Sequence, residues 1–397
     1  MNEKIKLLIV YPEMMIGGST TSLLSLLNEL DEDRYDVDLA LYVHSGVLMD
    51  YIPNHVKVLN EVCTVKSSEH RLKKLFRLTI SGYMFKSIVL QKKYGGRASG
   101  QVLMDARVRL FSRSIAGKEY DIAIGYLEGW PIKYVVSDKV RAKRKIGWIH
   151  LDYQKSPYIP KLDYKAIKAL DTVVSVSAEC EKNNRVLFDL KDSRYLPNLL
   201  SAKFVHDRAA QTDTGDKDFL NWSRIKKTKF ITVCRIENVH KGIDRAVLTA
   251  KYLRDKGLDF AWYIIGDGNN MGRNQEQIER YGLQDRIKMI GARLNPYPFI
   301  KSADLFVLPS RFEGKPMVIT ETMMLKVPAV VTEYASAGEQ IRDGIDGLVV
   351  PNRDDALFAP LEKCLMNPEI ISELKAGIPN EIECKADIVL YDELLAQ

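Results

Sequence analysis

The chain has 397 residues, a length that suits two domains of roughly 150–200 residues each. A hydrophobic fraction of 46% and a charged fraction of 28% are those of a globular protein, and no apolar run approaches the roughly 18 residues that cross a bilayer. The five cysteines are scattered without CxxC spacing, which argues against a disulfide framework or a zinc site. The net charge of +6 is uneven: 13 Lys/Arg against the two acids Glu69 and Asp105 lie between Lys66 and Lys118, and that segment holds the whole basic excess.

The opening MNEKIKLLIVYPE has too short an apolar stretch for a signal peptide and reads as a buried first strand, so a cytoplasmic protein is expected. After KLLIVY come the strand candidates VDLALYV, VKVLN, DIAIGY, RKIGWIH and TVVSVS, separated by helical patterns. The second half repeats the layout with KFITVCR, AWYIIG, IKMIG, LFVLP, PAVVT and GLVV. These runs are short and rich in Val and Ile, the pattern of parallel sheets with crossover helices. The fold class is α/β, with two doubly wound Rossmann-like domains, residues 1–200 and 201–380, facing a shared cleft at the carboxyl ends of their strands. The polar stretch from Ser201 to Lys227 has little to bury and should contain the linker. The amphipathic tail 381–397 could finish the second domain or cross back to the first.

Between the first strand and its helix, MMIGGSTTSLL places Gly17 and Gly18 where the backbone can be approached closely, with Ser19 or Thr20 available to cap the helix. A tight turn is the plain alternative. Asp36-Val37-Asp38 has the spacing of a metal-holding acid pair but opens the second strand, and reads as a strand boundary. From Arg71 to Arg97, helical spacing gathers Leu72, Leu75, Phe76, Ile80 and Tyr83 on one face with Arg71, Lys73, Lys74 and Arg77 around it. Such a helix can rest on anionic lipid; an ordinary helix with a solvated basic rim is the alternative, and no motif supports nucleic acid. His150 stands at the end of RKIGWIH, where it could meet a sugar hydroxyl or serve only the structure.

In VCRIENVHKG, Arg235 and Lys241 lie at a strand-to-helix turn, where two cations can neutralise a diphosphate. GDG at Gly266–Gly268 ends a strand and could be turn chemistry. PSRFEGKPMVITETMMLKVPAVV carries the strongest pattern: a buried strand, a loop with Glu313 and Gly314, and a helix with Pro316 suited to its first turn. The free N–H groups of such a helix start suit phosphate or sugar oxygens. Glu313 and Glu321, with seven residues between them, can both face that end of the sheet; two solvated acids would be the plain reading.

These residues resemble glycosyltransferase family four, retaining enzymes of the GT-B fold, through nearly all of the chain and most specifically from Phe230 to Val350. Arg235, Glu237, Lys241 and Gly242, GDG, GARLNPYPFIKSADLFVLPS, the two glutamates and GEQIRDGIDGLVV carry the likeness. The resemblance implies that Arg235 and Lys241 bind the donor diphosphate and that Glu321 holds the ribose hydroxyls. It implies that Glu313, with the backbone of Gly314, Lys315, Pro316, Met317 and Val318, meets the sugar. Gly17 and Gly18 would lie under phosphate and acceptor, His150 would contact the donor sugar, and Gly266 would line the donor site. Arg293 and Leu294 open the stretch resembling the loop that meets the base. Thr322, Asn269 and Ser19–Thr20–Thr21 depart from the family pattern without removing a chemical group.

The resemblance implies transfer of a hexose from a nucleotide-sugar, UDP being the expected carrier, with retention, no metal and no cofactor. The leaving phosphate would assist deprotonation of a glycan or polyprenyl-diphosphate-linked acceptor, as in bacterial capsule or exopolysaccharide synthesis. A non-catalytic nucleotide-sugar-binding scaffold is the rival reading, weakened by the intact Glu313, Glu321, Arg235 and Lys241. An NAD-dependent oxidoreductase lacks its glycine fingerprint after the first strand.

Overall fold

The computed structural model describes residues 3–64, 77–95, 97–154, 156, 158–211, 215–313, 315–334, 336–380, 382 and 385–396. Gly314 and the residues Arg71 to Phe76 of the expected amphipathic face lie outside this set. The chain divides into two compact units, Met1–Leu199 with Lys385–Gln397, and Leu200–Cys384.

The first unit is a parallel sheet in the order β3-β2-β1-β4-β5-β6-β7. Its strands are β1 (Ile5–Tyr11), β2 (Tyr35–Leu41), β3 (Lys57–Val58), β4 (Glu119–Gly125), β5 (Arg141–Ile149), β6 (Thr172–Ser175) and β7 (Ser193–Tyr195). Leu7, Leu8, Ile9 and Val10 of β1 are all wholly buried. Crossover helices cover both faces of a parallel sheet, so its central strands read as continuous apolar runs. The strand β7 escapes this logic: it is a polar edge strand of three residues, paired among the described residues with β6 alone.

The second unit is a parallel sheet in the order β10-β9-β8-β11-β12-β13. It comprises β8 (Thr228–Val233), β9 (Phe260–Ile265), β10 (Ile287–Met289), β11 (Leu305–Leu308), β12 (Ala329–Thr332) and β13 (Gly347–Val350). In each sheet the strand order reverses beside its first strand, between β1 and β4 and between β8 and β11. Connections leave these two strand pairs in opposite directions, which opens a crevice at their carboxyl ends.

One expectation changes, and the alternatives left open for the tail 381–397 are decided. The stretch from Ser201 to Lys227 is no linker. It forms the helices Ala202–Ala210 and Lys217–Arg224, started by the Ser201 and Asp216 side chains, which accept backbone N–H bonds. Trp222 is wholly buried, and its indole N–H donates to the Phe299 carbonyl (3.1 Å) and the Ser302 hydroxyl (3.0 Å). One large apolar ring per helix suffices to dock a segment whose average composition is polar. The last helix, Lys385–Ala396, belongs to the first unit. The Tyr391 ring stacks on Trp148 (5.2 Å between centroids), its hydroxyl donates to the Pro197 carbonyl (2.8 Å), and Tyr35 donates to Asp392 (2.9 Å).

The acid pair Asp36 and Asp38 lies inside β2. Asp38 is wholly buried and accepts hydrogen bonds from the Lys118 ammonium (2.8 Å) and the Tyr120 hydroxyl (2.6 Å). Its chemistry is spent on closing the sheet. Replacing Asp38 by Ala strands the Tyr120 hydroxyl and should cost about 3 kcal/mol of stability. A lowered urea midpoint with an unchanged slope is the expected readout.

Candidate functional site

In the second unit, β8 and β11 pair directly, Leu305 opposite Phe230 and Phe306 opposite Ile231, so the loops that follow them emerge side by side. The β8 loop is strapped to the β11 loop. The His240 carbonyl accepts the N–H groups of Arg311 (2.6 Å) and Phe312 (3.1 Å), and the Arg311 guanidinium reaches the Asn238 carbonyl (2.6 Å) and Asp244 (2.7 Å). Gly242 has φ +63°, and a Cβ there would lie 2.2 Å from the Pro309 carbonyl oxygen, so only glycine lets the two loops close.

This strapping brings Lys241 onto Glu313. The Lys241 ammonium meets both carboxylate oxygens at 2.6 and 2.8 Å, and the buried Ser310 hydroxyl donates to Oε1 at 2.7 Å. Glu313 is 9% exposed, so the pair is shielded on the carboxylate side. Arg235 stands exposed on the same loop and has no hydrogen-bond or ion-pair partner among the described residues. The two cations of the motif therefore differ: one is matched by a carboxylate, the other free to take an anion. Behind them, burial pushes the Cys234 thiol up to about 12, keeping it an inert neutral group.

Glu321 lies on the helix Met317–Met324 and is 8% exposed. Burial raises its carboxyl from 4.5 to about 7, against the opposing pull of the Tyr297 hydroxyl, which hydrogen-bonds it, and of the Arg208 charge. Arg208 is itself buried, its guanidinium over the rings of Phe204 (5.4 Å) and Tyr297 (5.7 Å) and bonded to the Leu294 carbonyl. Arg208 and Ser310 are neighbours of the two glutamates that no sequence spacing marked, while Tyr297 ends the stretch from Arg293 that resembles the base-meeting loop. Arg208 sits in the stretch expected to be a linker, which hid it.

The remaining candidates of this unit are held by partners of their own or by backbone packing. Arg293 is engaged by Asp216 (2.8 Å) and Asp218 (2.6 Å), so its side chain ties its loop to the helix Lys217–Arg224, while Leu294 offers its carbonyl to Arg208. Lys315 pairs with Glu339 (3.1 Å). The helix begins at Met317; Pro316 is extended and stands just before it, not in its first turn. Met317 and Val318 pack half-buried against the core. At Gly266 a Cβ would fall 1.8 Å from the Cys234 carbonyl oxygen, and at Gly268 one would lie 2.3 Å from that of Ile236. Glycine is needed in GDG by the packing of the β8 and β9 ends.

In the first unit the corresponding crevice is lined by the ends of β1, β4 and β5. The helix Gly18–Glu29 starts from Gly17, which has an extended backbone and no side-chain cap. Ser19 and Thr20, expected as caps, sit in the first turn and bond the Tyr11 hydroxyl at 2.7 and 3.1 Å. A Cβ at Gly17 would meet nothing within 4 Å, so neither backbone strain nor packing among the described residues requires this glycine. His150 accompanies it at the end of β5. Its Nε2 lies 3.2 Å from the Tyr126 carbonyl, which can only accept, so the proton resides on Nε2. Burial lowers the His150 pKa to about 4, leaving the ring neutral at physiological pH. Glu128, unmarked by the sequence, accepts the His150 backbone N–H (3.0 Å), and burial raises its carboxyl above the usual range.

Two Rossmann-like units, each with polar side chains gathered at its sheet's reversal point, form the GT-B class of fold. Residues 217–377 match the family model described as glycosyl transferases group 1. It is 32% identical to an alpha-D-kanosaminyltransferase of Streptomyces kanamyceticus over 145 residues, 35% of this chain and 38% of that one. It is also 32% identical to the putative colanic acid biosynthesis glycosyltransferase WcaL of Salmonella typhimurium over 141 residues, 33% of this chain and 34% of that one. The chain thus spans little more than a third of the length of these relatives. Among solved structures, HepE of Anabaena in complex with UDP and glucose superposes with a TM-score of 0.65 over 99% of both chains at 16% identity, a likeness of fold. No described helix is long and apolar enough to cross a membrane.

Proposed function

We propose that the protein is a retaining, metal-independent hexosyltransferase using a nucleotide-sugar, with UDP as the carrier. The acceptor is a glycan or polyprenyl-diphosphate-linked sugar in cell-surface polysaccharide synthesis. The observation that carries this reading is the Lys241–Glu313 pair at the sheet reversal with the unmatched Arg235 beside it. A diphosphate arriving there meets Arg235 without competition and draws on Lys241, so charge growing on the leaving nucleotide is balanced by fixed cations, where other transferases use a divalent metal. Glu313, relieved of part of its partner, is left as a carboxylate next to the sugar, able to steady positive charge at the anomeric carbon. Glu321 receives the ribose hydroxyls; His150, a neutral ring, is assigned to a sugar hydroxyl, and the open space at Gly17 to phosphate or acceptor. The UDP and glucose held by HepE and the polysaccharide role of WcaL support this assignment. The reading includes action at the inner face of the cell membrane, with the basic segment 66–118 touching anionic lipid.

Incubating the protein with UDP-, GDP- and ADP-sugars in the presence of EDTA tests the proposal. Slow donor hydrolysis with one nucleotide, undiminished by the chelator, is expected. Saturable binding without any turnover, with acceptor extracts added, would favour a non-catalytic scaffold, and loss of turnover in EDTA would refute metal independence.

A further inference from the structure

The helix Tyr83–Tyr94 in the first unit has no buried residue. At 3.6 residues per turn, Phe85, Ile88, Val89 and Lys92 share one face. On that face Phe85 is 74% exposed, Ile88 50% and Val89 45%. The side that meets the protein is a different one: Tyr83 and Met84 pack against the small cluster of Leu78, Ala106 and Phe111. An aromatic and two β-branched residues thus point outward in a row, where a solvated helix would carry polar groups. Lys86, Lys92 and Lys93 flank the row, and the helix contains no acid.

We propose that this outer face docks the first unit on an anionic lipid surface, Phe85, Ile88 and Val89 entering the headgroup layer and Lys92 and Lys93 binding its phosphates. The proposal names the residues of the membrane contact included in the functional reading and rests on that reading only for its purpose. Charge selects the occupant. A second copy of the same face would set lysines against lysines, whereas anionic headgroups satisfy both the cations and the apolar row. The docking helix is not loose. Lys86 lies 3.5 Å from Asp105 on the neighbouring helix Arg97–Phe111; Asp105 holds the buried Lys133 (2.6 Å), which in turn holds Asp163 (2.7 Å), bonded also by Gln101 (2.9 Å). Lys133 belongs to the helix Trp130–Val135, which directly follows Glu128 at the end of β4. A lipid-bound face is thereby tied to the crevice of its own unit, the side where a lipid-linked acceptor would arrive.

The test is co-sedimentation of the full chain with vesicles of phosphatidylcholine, alone or with phosphatidylglycerol, at low and high salt. The wild-type protein should bind the anionic vesicles only, and release them at high salt. With each lysine near the surface contributing about fivefold in partitioning, Lys92→Gln with Lys93→Gln should lose roughly 25-fold, and Phe85→Ser about tenfold. Both variants should keep wild-type unfolding temperature and wild-type hydrolysis of soluble donor. Absence of binding to anionic vesicles, or equal binding by all three proteins, overturns the proposal. A concentration-dependent dimer abolished by Phe85→Ser would overturn it in favour of a second copy. A wild-type protein that binds vesicles but never turns over a donor refutes the transferase reading and leaves the lipid contact standing.

Discussion

Glu313→Gln should lower turnover by about 10²–10³-fold while leaving the affinity for UDP intact or raised. The glutamine keeps the volume and can still accept from Ser310, but it removes the negative charge that holds Lys241 at 2.6 and 2.8 Å. Glu313 neutralises that ammonium; without the carboxylate it is free for the diphosphate. A residue whose loss helps nucleotide binding and harms turnover acts on the reacting sugar. Calorimetric UDP titration beside steady-state turnover separates the two effects. A fall in UDP affinity as large as the fall in kcat/KM would show that Glu313 serves the nucleotide and would falsify the assigned role. The converse substitution, Lys241→Met, should weaken UDP binding and leave Glu313 buried with only Ser310 for a partner.

The second large effect concerns Glu321 and runs in opposite directions for stability and binding. Its carboxyl lies near 4.5 in the unfolded chain and is raised to about 7 in the folded one. The folded state therefore holds the proton more tightly across that window, and stability declines as the pH rises from about 4.5 to about 7. Above it, the buried carboxylate costs on the order of 3 kcal/mol. Glu321→Gln should remove that cost, so the variant melts higher than wild type at pH 8 and at the same temperature at pH 4. Bound ribose hydroxyls would satisfy the ionised carboxylate, so wild-type UDP affinity should fall as the pH drops below about 7. In Glu321→Gln it should be roughly 10–100-fold weaker and flat with pH. Tyr297→Phe supplies the control. Its hydroxyl favours the carboxylate form, so its loss should move the midpoint of UDP binding upward. Melting curves at pH 4 and pH 8, with and without UDP, read all of these; identical curves for Glu321→Gln and wild type at pH 8 would sink the account.

Both glutamates stand in a motif that sequence pattern marks. Short Val- and Ile-rich runs sufficed to locate the strands from β1 to β6 and from β8 to β13, because a parallel strand covered on both faces carries a mostly apolar run where it is buried and stands out against helical periodicity. The Glu313 and Glu321 spacing, the Arg235 and Lys241 turn and the paired Gly17 and Gly18 are local along the chain and could be found as strings. What failed was also local. Composition averaged over Ser201 to Lys227 concealed two capped helices, since the few apolar residues that dock them, Phe204 and Val205 on the first and Trp222 on the second, carry little weight in an average. The apolar face of the basic segment is Phe85, Ile88 and Val89 among the described residues, and helical spacing alone could not say which side of that helix the protein covers.

By itself the sequence determined the class of fold and the order of nearly all its strands, because strand periodicity and turn chemistry are properties of neighbours along the chain. Tertiary structure alone decided who partners whom. It set Lys241 on Glu313 across 72 positions and spent Arg293 on Asp216 and Asp218. It buried Asp38 under Lys118 and placed Arg208 and Tyr297 beside Glu321. The physical reason is that a side chain's charge state and reach depend on burial and on groups brought near only when the sheets form. The same glutamate that reads as a solvated acid in a string becomes, once buried, a group poised near neutrality.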